Sequence, residues 1–360
     1  MIPYIFSLAL FCSIVLSSSY IFAYYNSITK TYRQESFIRI QLLGSQSYSS
    51  AKSLCYSRQF ELSHNYWDSI IQKPSKFKSK DPLWNYTDPY PYLSIYNSNV
   101  SICHENTFLL MMIPSRAVDF SIRNLFRNLY PQNNTVLNKV INRVFVIAVS
   151  GVERFTMISL KKEAIKYNDI IIVNSPEGNI HLSKITWGAF YWITQYCFYA
   201  NFIGKFDTDE IIILKNLVLK LLLLPKQKLY AGHVWKDVKT IPISTPGQRW
   251  VFPNDYPHIG FRRSYVSGVA EIFSVDIIPL LAVGAYYQDL FMTAGEDFMV
   301  GIILSKLGIQ ASQIDSNFVN VKTNLTKHIC NYCVWHSPIL KDFQTLKKYS
   351  SIIADCNTNS

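Results

Sequence analysis

From Phe108 onward, unbroken apolar runs alternate with stretches of helical period. Phe108-Leu109-Leu110-Met111-Met112-Ile113, closed by Pro114, reads as a strand buried on both faces. Val144 to Val149, Asp169 to Val173 and Phe198 to Phe206 read the same way. Between them, Ala117 to Tyr130, Phe155 to Tyr167 and Ser183 to Cys197 repeat their apolar residues at helical spacing. Leu214 to Leu224 is a further helix, stopped by Pro225. This alternation predicts an α/β fold with a mostly parallel, Rossmann-like sheet flanked by helices. Ligands then bind at the carboxyl ends of the strands. Ser115 and Asp207-Thr208-Asp209 fall on that rim.

The pattern weakens on either side. In the second half, Tyr230 to Trp235 and Arg249 to Phe252 read as short strands, and Tyr256 to Gly268 as a loop. Ser274 to Val283 is a short helix interrupted by Pro279, and Glu296-Asp297 opens a helix over Phe298 to Leu307. Residues 1–29 carry no charge, and Ile2 to Tyr25 is apolar enough to cross a bilayer. It reads as a signal-anchor, with a cleaved signal peptide as the alternative. Residues 30–102 are rich in Ser, Tyr, Asn and Pro and read as a stem with an irregular N-terminal lobe. The body is expected over 103–340 and a tail over 341–360.

Composition bears on compartment. The first cations after the apolar segment, Lys30, Arg33 and Arg39, would put the body in the cytoplasm by the positive-inside rule. Cysteines and sequons point the other way. Cys55, Cys103, Cys197, Cys330, Cys333 and Cys356 allow up to three disulfides, and Asn85, Asn99, Asn133 and Asn324 begin Asn-x-Ser/Thr sequons. Cys330 and Cys333 with His328 and His336 can also be drawn as a zinc site, but the spacing is cramped. The net charge of +11 suits a solvated basic surface, an anionic substrate or acidic lipid. Its Lys and Arg are dispersed rather than striped, so nucleic acid is not the expected partner.

Two acidic motifs carry chemistry. Lys205-Phe206-Asp207-Thr208-Asp209 ends an apolar strand. Carboxylates there are costly unless compensated, and Asp oxygens suit Mg²⁺ or Mn²⁺; ordinary acidic turns also contain this pattern. Glu296-Asp297 is either a pair complementing a helix start or a catalytic pair. His336 is either a third metal ligand or a structural histidine. Trp235 and Trp250 are candidate aromatic stacking surfaces.

In order, the segments Phe108 to Ser115, Ile122-Arg123-Asn124-Leu125-Phe126, Glu163 with Tyr167, Asp169 and Ile170, and Trp192 to Cys197 fall into a recognisable series. Lys205 to Asp209, Tyr265-Val266-Ser267-Gly268 and Glu296 to Gly301 complete it. The set resembles the β-1,3-galactosyltransferase family over roughly Phe108 to Trp335. That resemblance implies a GT-A-like fold and a membrane-anchored hexosyltransferase, with its body in the Golgi lumen. The enzyme would move galactose or N-acetylglucosamine from a UDP-sugar to a hydroxyl of a glycoprotein or glycolipid, with inversion and β-1,3 linkage. It implies Mn²⁺ (or Mg²⁺) at Asp207, Asp209 and His336. It also implies Asp297 as base with Glu296 beside it, and donor contacts from Ser115, Arg123, Asp169, Lys205 and Asp207. Departures at Asn174 to Asn179, His181 to Ile185 and Val269-Ala270-Glu271 leave an alternative, a catalytically weak or inactive luminal binding protein.

Overall fold

The computed structural model describes residues 102–239, 262–288, 295–320 and 329–337, together with 93–94, 340, 343–349, 353 and 356. All fall within one compact unit, Ser75–Ser360. The expected anchor and most of the stem lie outside the described residues. Among the described residues no helix is long and apolar enough to cross a membrane.

In chain order the elements are β1 (Leu93–Ser94), β2 (Thr107–Pro114), α1 (Phe120–Leu129), β3 (Asn134–Val136), β4 (Lys139–Ser150) and α2 (Arg154–Tyr167). Next come β5 (Ile170–Pro176), α3 (Leu182–Tyr196), β6 (Phe202–Lys205), β7 (Glu210–Ile212), α4 (Leu214–Leu222), β8 (Tyr230–Gly232) and β9 (Val234–Lys239). The remainder are β10 (Arg262–Val266), β11 (Glu271–Ser274), α5 (Ile278–Gln288), α6 (Glu296–Lys306), β12 (Ser312–Gln313), β13 (Val319–Asn320), β14 (Val334–His336) and α7 (Phe343–Lys348).

The main sheet runs β1-β5-β4-β2-β6-β11-β8-β12, with β3 paired to β4. Its centre, β5, β4, β2 and β6, is parallel. These are the unbroken apolar runs, and they are buried on both faces because helices cover both. On one face Leu125 and Phe126 of α1, Leu160 and Ala164 of α2, and Leu217 and Leu221 of α4 pack with Met111, Ile113, Phe145 and Ile147. On the other, α3 packs on α5 and α6, and the Trp187 indole N–H donates to Leu281 O at 2.8 Å.

Several expectations change in the second half. β11 runs antiparallel to β6 and to β8, so the sheet is mixed beyond its parallel centre. Residues 262–266 form β10 rather than loop, paired antiparallel with β9. Pro279 does not interrupt a helix. It sits at the second position of α5, where its missing N–H costs nothing. The strand expected over Phe198 to Phe206 is confined to Phe202–Lys205. The strand expected at Arg249 to Phe252 lies outside the described residues.

Among the described residues two disulfides form, Cys103–Cys197 and Cys330–Cys356, while Cys333 is a buried thiol. The second excludes a zinc site at Cys330. It also joins residue 356 to the body, where Leu346, Ile353 and Cys356 share the core. The sheet likewise gains Leu93–Ser94 from the region read as stem, through their pairing with β5.

Candidate active site

The carboxyl ends of β2 and β6 lie side by side. Met112 pairs with Lys205, and Phe206 N donates to Met112 O at 3.0 Å. This puts Ser115 and Asp207 on one rim, as the strand pattern predicts. Antiparallel β11 enters the same edge, with Glu271 opposite Lys205. The turn before it, Ser267-Gly268, meets the first turn of α6.

Close approach of glycines makes that meeting possible. A Cβ on Gly301 would stand 2.5 Å from the Tyr265 Cβ, so only glycine lets α6 lie against β10. A Cβ on Gly268 would come within 3.3 Å of Asp297 Oδ2. Instead the Gly268 N–H donates to that oxygen at 2.8 Å, and the Phe298 N–H donates to Asp297 Oδ1 at 2.7 Å.

Lys205 is the hub of the site. Its side chain is fully buried, and Nζ lies 2.9 Å from Glu296 Oε1, 3.1 Å from Gly268 O, 3.5 Å from Asp207 Oδ1 and 3.8 Å from Glu271 Oε2. Burial pulls its pKa down, but the charges of Asp207, Glu296 and Glu271 outweigh it and hold the ammonium well above the ordinary range. One cation thus joins the Asp-x-Asp rim to the Glu296-Asp297 helix start.

Acid exceeds base here. Burial drives the Glu210 carboxyl well above the usual range, reinforced by the charges of Asp207 and Asp209. Glu271 is raised by burial and by Glu296 and Asp297, against Lys205 and the Tyr230 hydroxyl, which donates to Glu271 Oε1 at 3.3 Å. Asp297 is pushed up to about 7 by burial and by the charge of Glu296, against the Gly268 N–H and Lys205. A carboxyl poised there suits proton transfer near neutral pH.

On the other side of the rim, His336 on β14 pairs with Glu210 on β7, and its Nδ1 stands 3.5 Å from Asp209 Oδ1. That nitrogen is buried and makes no hydrogen bond. A carboxylate and an orphaned imidazole nitrogen facing each other, with Asp207 one residue away in a surplus of acid, fit the donor set of a hard divalent cation. Among the described residues no three such side chains already enclose an ion, because Asp207 turns toward Lys205.

Two residues expected to contact the donor are instead engaged within the protein. Arg123 is fully buried, and its guanidinium N–H groups go to Glu163, Ser115 Oγ, Arg116 O and Ala117 O. None remains for a phosphate. Asp169 precedes β5, at the end of the strands opposite the rim. It binds Arg127 through both oxygens at 2.8 Å and Arg143 at 2.6 Å. Lys205 spends its charge on protein carboxylates, Asp207 on the rim among them. Ser115 remains on the rim, accepting from Arg123 Nη1 at 3.1 Å. Trp235 is exposed on β9 beside His233, and Trp250 lies outside the described residues.

Sequence reading missed Glu271, Glu210 and Tyr230. A lone acid inside the apolar stretch Val269 to Phe273 was the available signal, since a buried carboxyl needs a stated partner.

The galactosyltransferase family model matches residues 121–315, from α1 through β12, and so includes every acidic residue of the site, while His336 on β14 lies beyond it. The chain belongs to the galactosyltransferase family. It is therefore a glycosyltransferase, of a family whose members imply a nucleotide-sugar donor and a glycan acceptor. Beta-1,3-galactosyltransferase 1 of Mus musculus and of Homo sapiens are each 26% identical over 235 residues, 64% of this chain and 69% of theirs. UDP-GalNAc:beta-1,3-N-acetylgalactosaminyltransferase 1 of Sus scrofa is 27% identical over 240 residues, 65% of this chain and 69% of its own. Among solved structures, galactosyltransferase LgtC in complex with donor and acceptor sugar analogs covers 68% of this chain and 95% of its own. The TM-score is 0.37 at 10% identity, too loose for any residue correspondence.

Proposed function

We propose that this galactosyltransferase-family member is a GT-A-like, metal-dependent hexosyltransferase using a UDP-sugar. It would transfer galactose or N-acetylglucosamine to a glycan hydroxyl on a glycoprotein or glycolipid, with inversion and β-1,3 linkage. Its place would be the Golgi lumen, on a single-pass type II anchor formed by residues 1–29. The carrying observation is Asp297, whose carboxyl is fixed by two backbone N–H groups and poised at about pH 7 beside a rim that shares Lys205 with Asp207.

Asp297 takes the proton of the acceptor hydroxyl as its oxygen bonds to the anomeric carbon of the donor. The bond from that carbon to the diphosphate oxygen breaks on the opposite face, and UDP leaves with the electron pair. Asp209, His336 and Asp207 would hold Mn²⁺ or Mg²⁺, which supplies Lewis-acid stabilisation of the departing diphosphate. Glu296 and Lys205 fix the first turn of α6, and Gly268 fixes the base itself. Incubating the full chain with a panel of UDP-sugars and glycan acceptors, with and without Mn²⁺, tests the reading. Metal-dependent transfer from one donor supports it, and UDP binding without any turnover contradicts it.

One observation favours a second reading, a weak or inactive binding protein. Glu271 stands in the stretch where the sequence departs from the family's glycines, and its carboxyl adds to an acid-rich site. In that case Glu271→Gly raises transfer from a barely measurable baseline.

A further inference from the structure

Helix α2 has one face that the core does not use. Leu160, Glu163 and Ala164 point inward, and Glu163 is locked by Arg123 at 2.7 Å and by Arg127 at 2.7 Å. These ion pairs fix the helix about its axis, so its outward face is set. That face carries Phe155 at 82% exposure, Ile158 at 42% and Ile165 at 70%. Their spacing of three and seven residues stacks them in one stripe. Arg154, Lys162 and Lys166 are exposed among and beside them, with Lys161 partly so. The one acid within the helix, Glu163, is buried.

Single exposed apolar residues are ordinary, and an exposed helix face is normally polar. A stripe of Phe and Ile interleaved with four cations, with no exposed acid within the helix, is a different pattern. Water does not favour the stripe, and a protein partner would have to supply both an apolar groove and several carboxylates. A bilayer interface supplies both, the acyl boundary for the apolar groups and anionic headgroups for the cations.

We propose that α2 is a docking face that lies on a membrane surface bearing anionic lipid. Phe155, Ile158 and Ile165 enter the headgroup boundary, while Arg154, Lys161, Lys162 and Lys166 pair with phosphate and carboxylate headgroups. The inference is independent of the sugar-transfer reading. It gives the body a fixed orientation on the bilayer, however the chain is tethered.

The test uses the full chain carrying a fluorescent label at Ser159→Cys. Ser159 is an exposed position on the same side of α2 that leaves the apolar and basic residues intact. The protein is reconstituted into vesicles of phosphatidylcholine, alone or mixed with phosphatidylserine, and quenched by brominated lipid. Stronger quenching in the phosphatidylserine vesicles is expected. Lys162→Glu and Lys166→Glu each shift the docked-to-free ratio by about fivefold or more. Phe155→Ser with Ile165→Ser abolishes the quenching while the thermal midpoint is kept. Equal quenching with and without phosphatidylserine, or quenching untouched by either pair of variants, overturns the proposal. So does a label signal that depends on protein density rather than lipid composition, because that identifies a second copy as the occupant.

Discussion

The Lys205 ammonium lies 2.9 Å from Glu296 Oε1, and neither side chain reaches solvent to any extent. This ion pair ties the end of a parallel central strand to the start of α6, two elements far apart in sequence. It is why Asp297 has a defined position near Asp207.

Removing the cation should therefore unfold the site before it alters chemistry. Lys205→Met leaves Glu296 buried without its partner, a loss of about 3–5 kcal/mol. Urea denaturation checks this. A variant as stable as wild type would mean that Glu296 is compensated from elsewhere.

The pH dependence of transfer follows from Asp297. A base must be unprotonated, and burial and Glu296 hold this carboxyl at about 7. On that basis kcat/KM rises with pH and levels off above about 7. Asp297→Asn should cost roughly 10²–10⁴-fold in rate with little loss of UDP affinity. A flat profile from pH 5.5 to 8 would remove Asp297 from the role.

The arginine network makes a different kind of prediction. Asp169 compensates Arg127 and Arg143, both almost wholly buried. Asp169→Asn should cost about 3–5 kcal/mol in stability and leave UDP affinity of the folded fraction unchanged. Calorimetric unfolding and UDP titration separate the two. A stable variant with weakened UDP binding would restore Asp169 to the donor site.

Asp169 also shows where sequence stops being informative. The parallel centre was legible because strands buried on both faces are written as unbroken apolar runs, such as Phe108 to Ile113. The rim was legible for the same reason, since Asp207 ends such a run. Roles were less so. Arg123 and Asp169 match a motif by position, but position does not say that their polar atoms are consumed by Glu163, Arg127 and Arg143. Short antiparallel strands such as β10 and β11 carry four or five residues, too few for a period to appear. Glu271 was hidden in one of them.

Glu271 has a stability signature of its own. Burial, with Glu296 and Asp297, raises its pKa above the usual 4.5, so the folded state holds a proton that the unfolded chain releases. The stability from this group is fully present below pH 4.5 and is lost as pH rises through the folded value. Glu271→Gln keeps a neutral side chain at every pH. Its stability relative to wild type should increase as pH rises from 4.5 toward neutrality, and chemical denaturation across that range reads it. A difference independent of pH would show that Glu271 is ionised in the fold.

The most direct test of the account compares UDP binding and sugar transfer in the same three proteins, with Mn²⁺ present and absent. Wild type should bind UDP more tightly with Mn²⁺ and transfer sugar. Asp209→Asn should lose both the Mn²⁺ effect and transfer, and Asp297→Asn should keep Mn²⁺-dependent UDP binding while losing transfer. If Asp209→Asn binds UDP with the same Mn²⁺ dependence as wild type, or Asp297→Asn transfers sugar at the wild-type rate, the assignment of metal and base is contradicted.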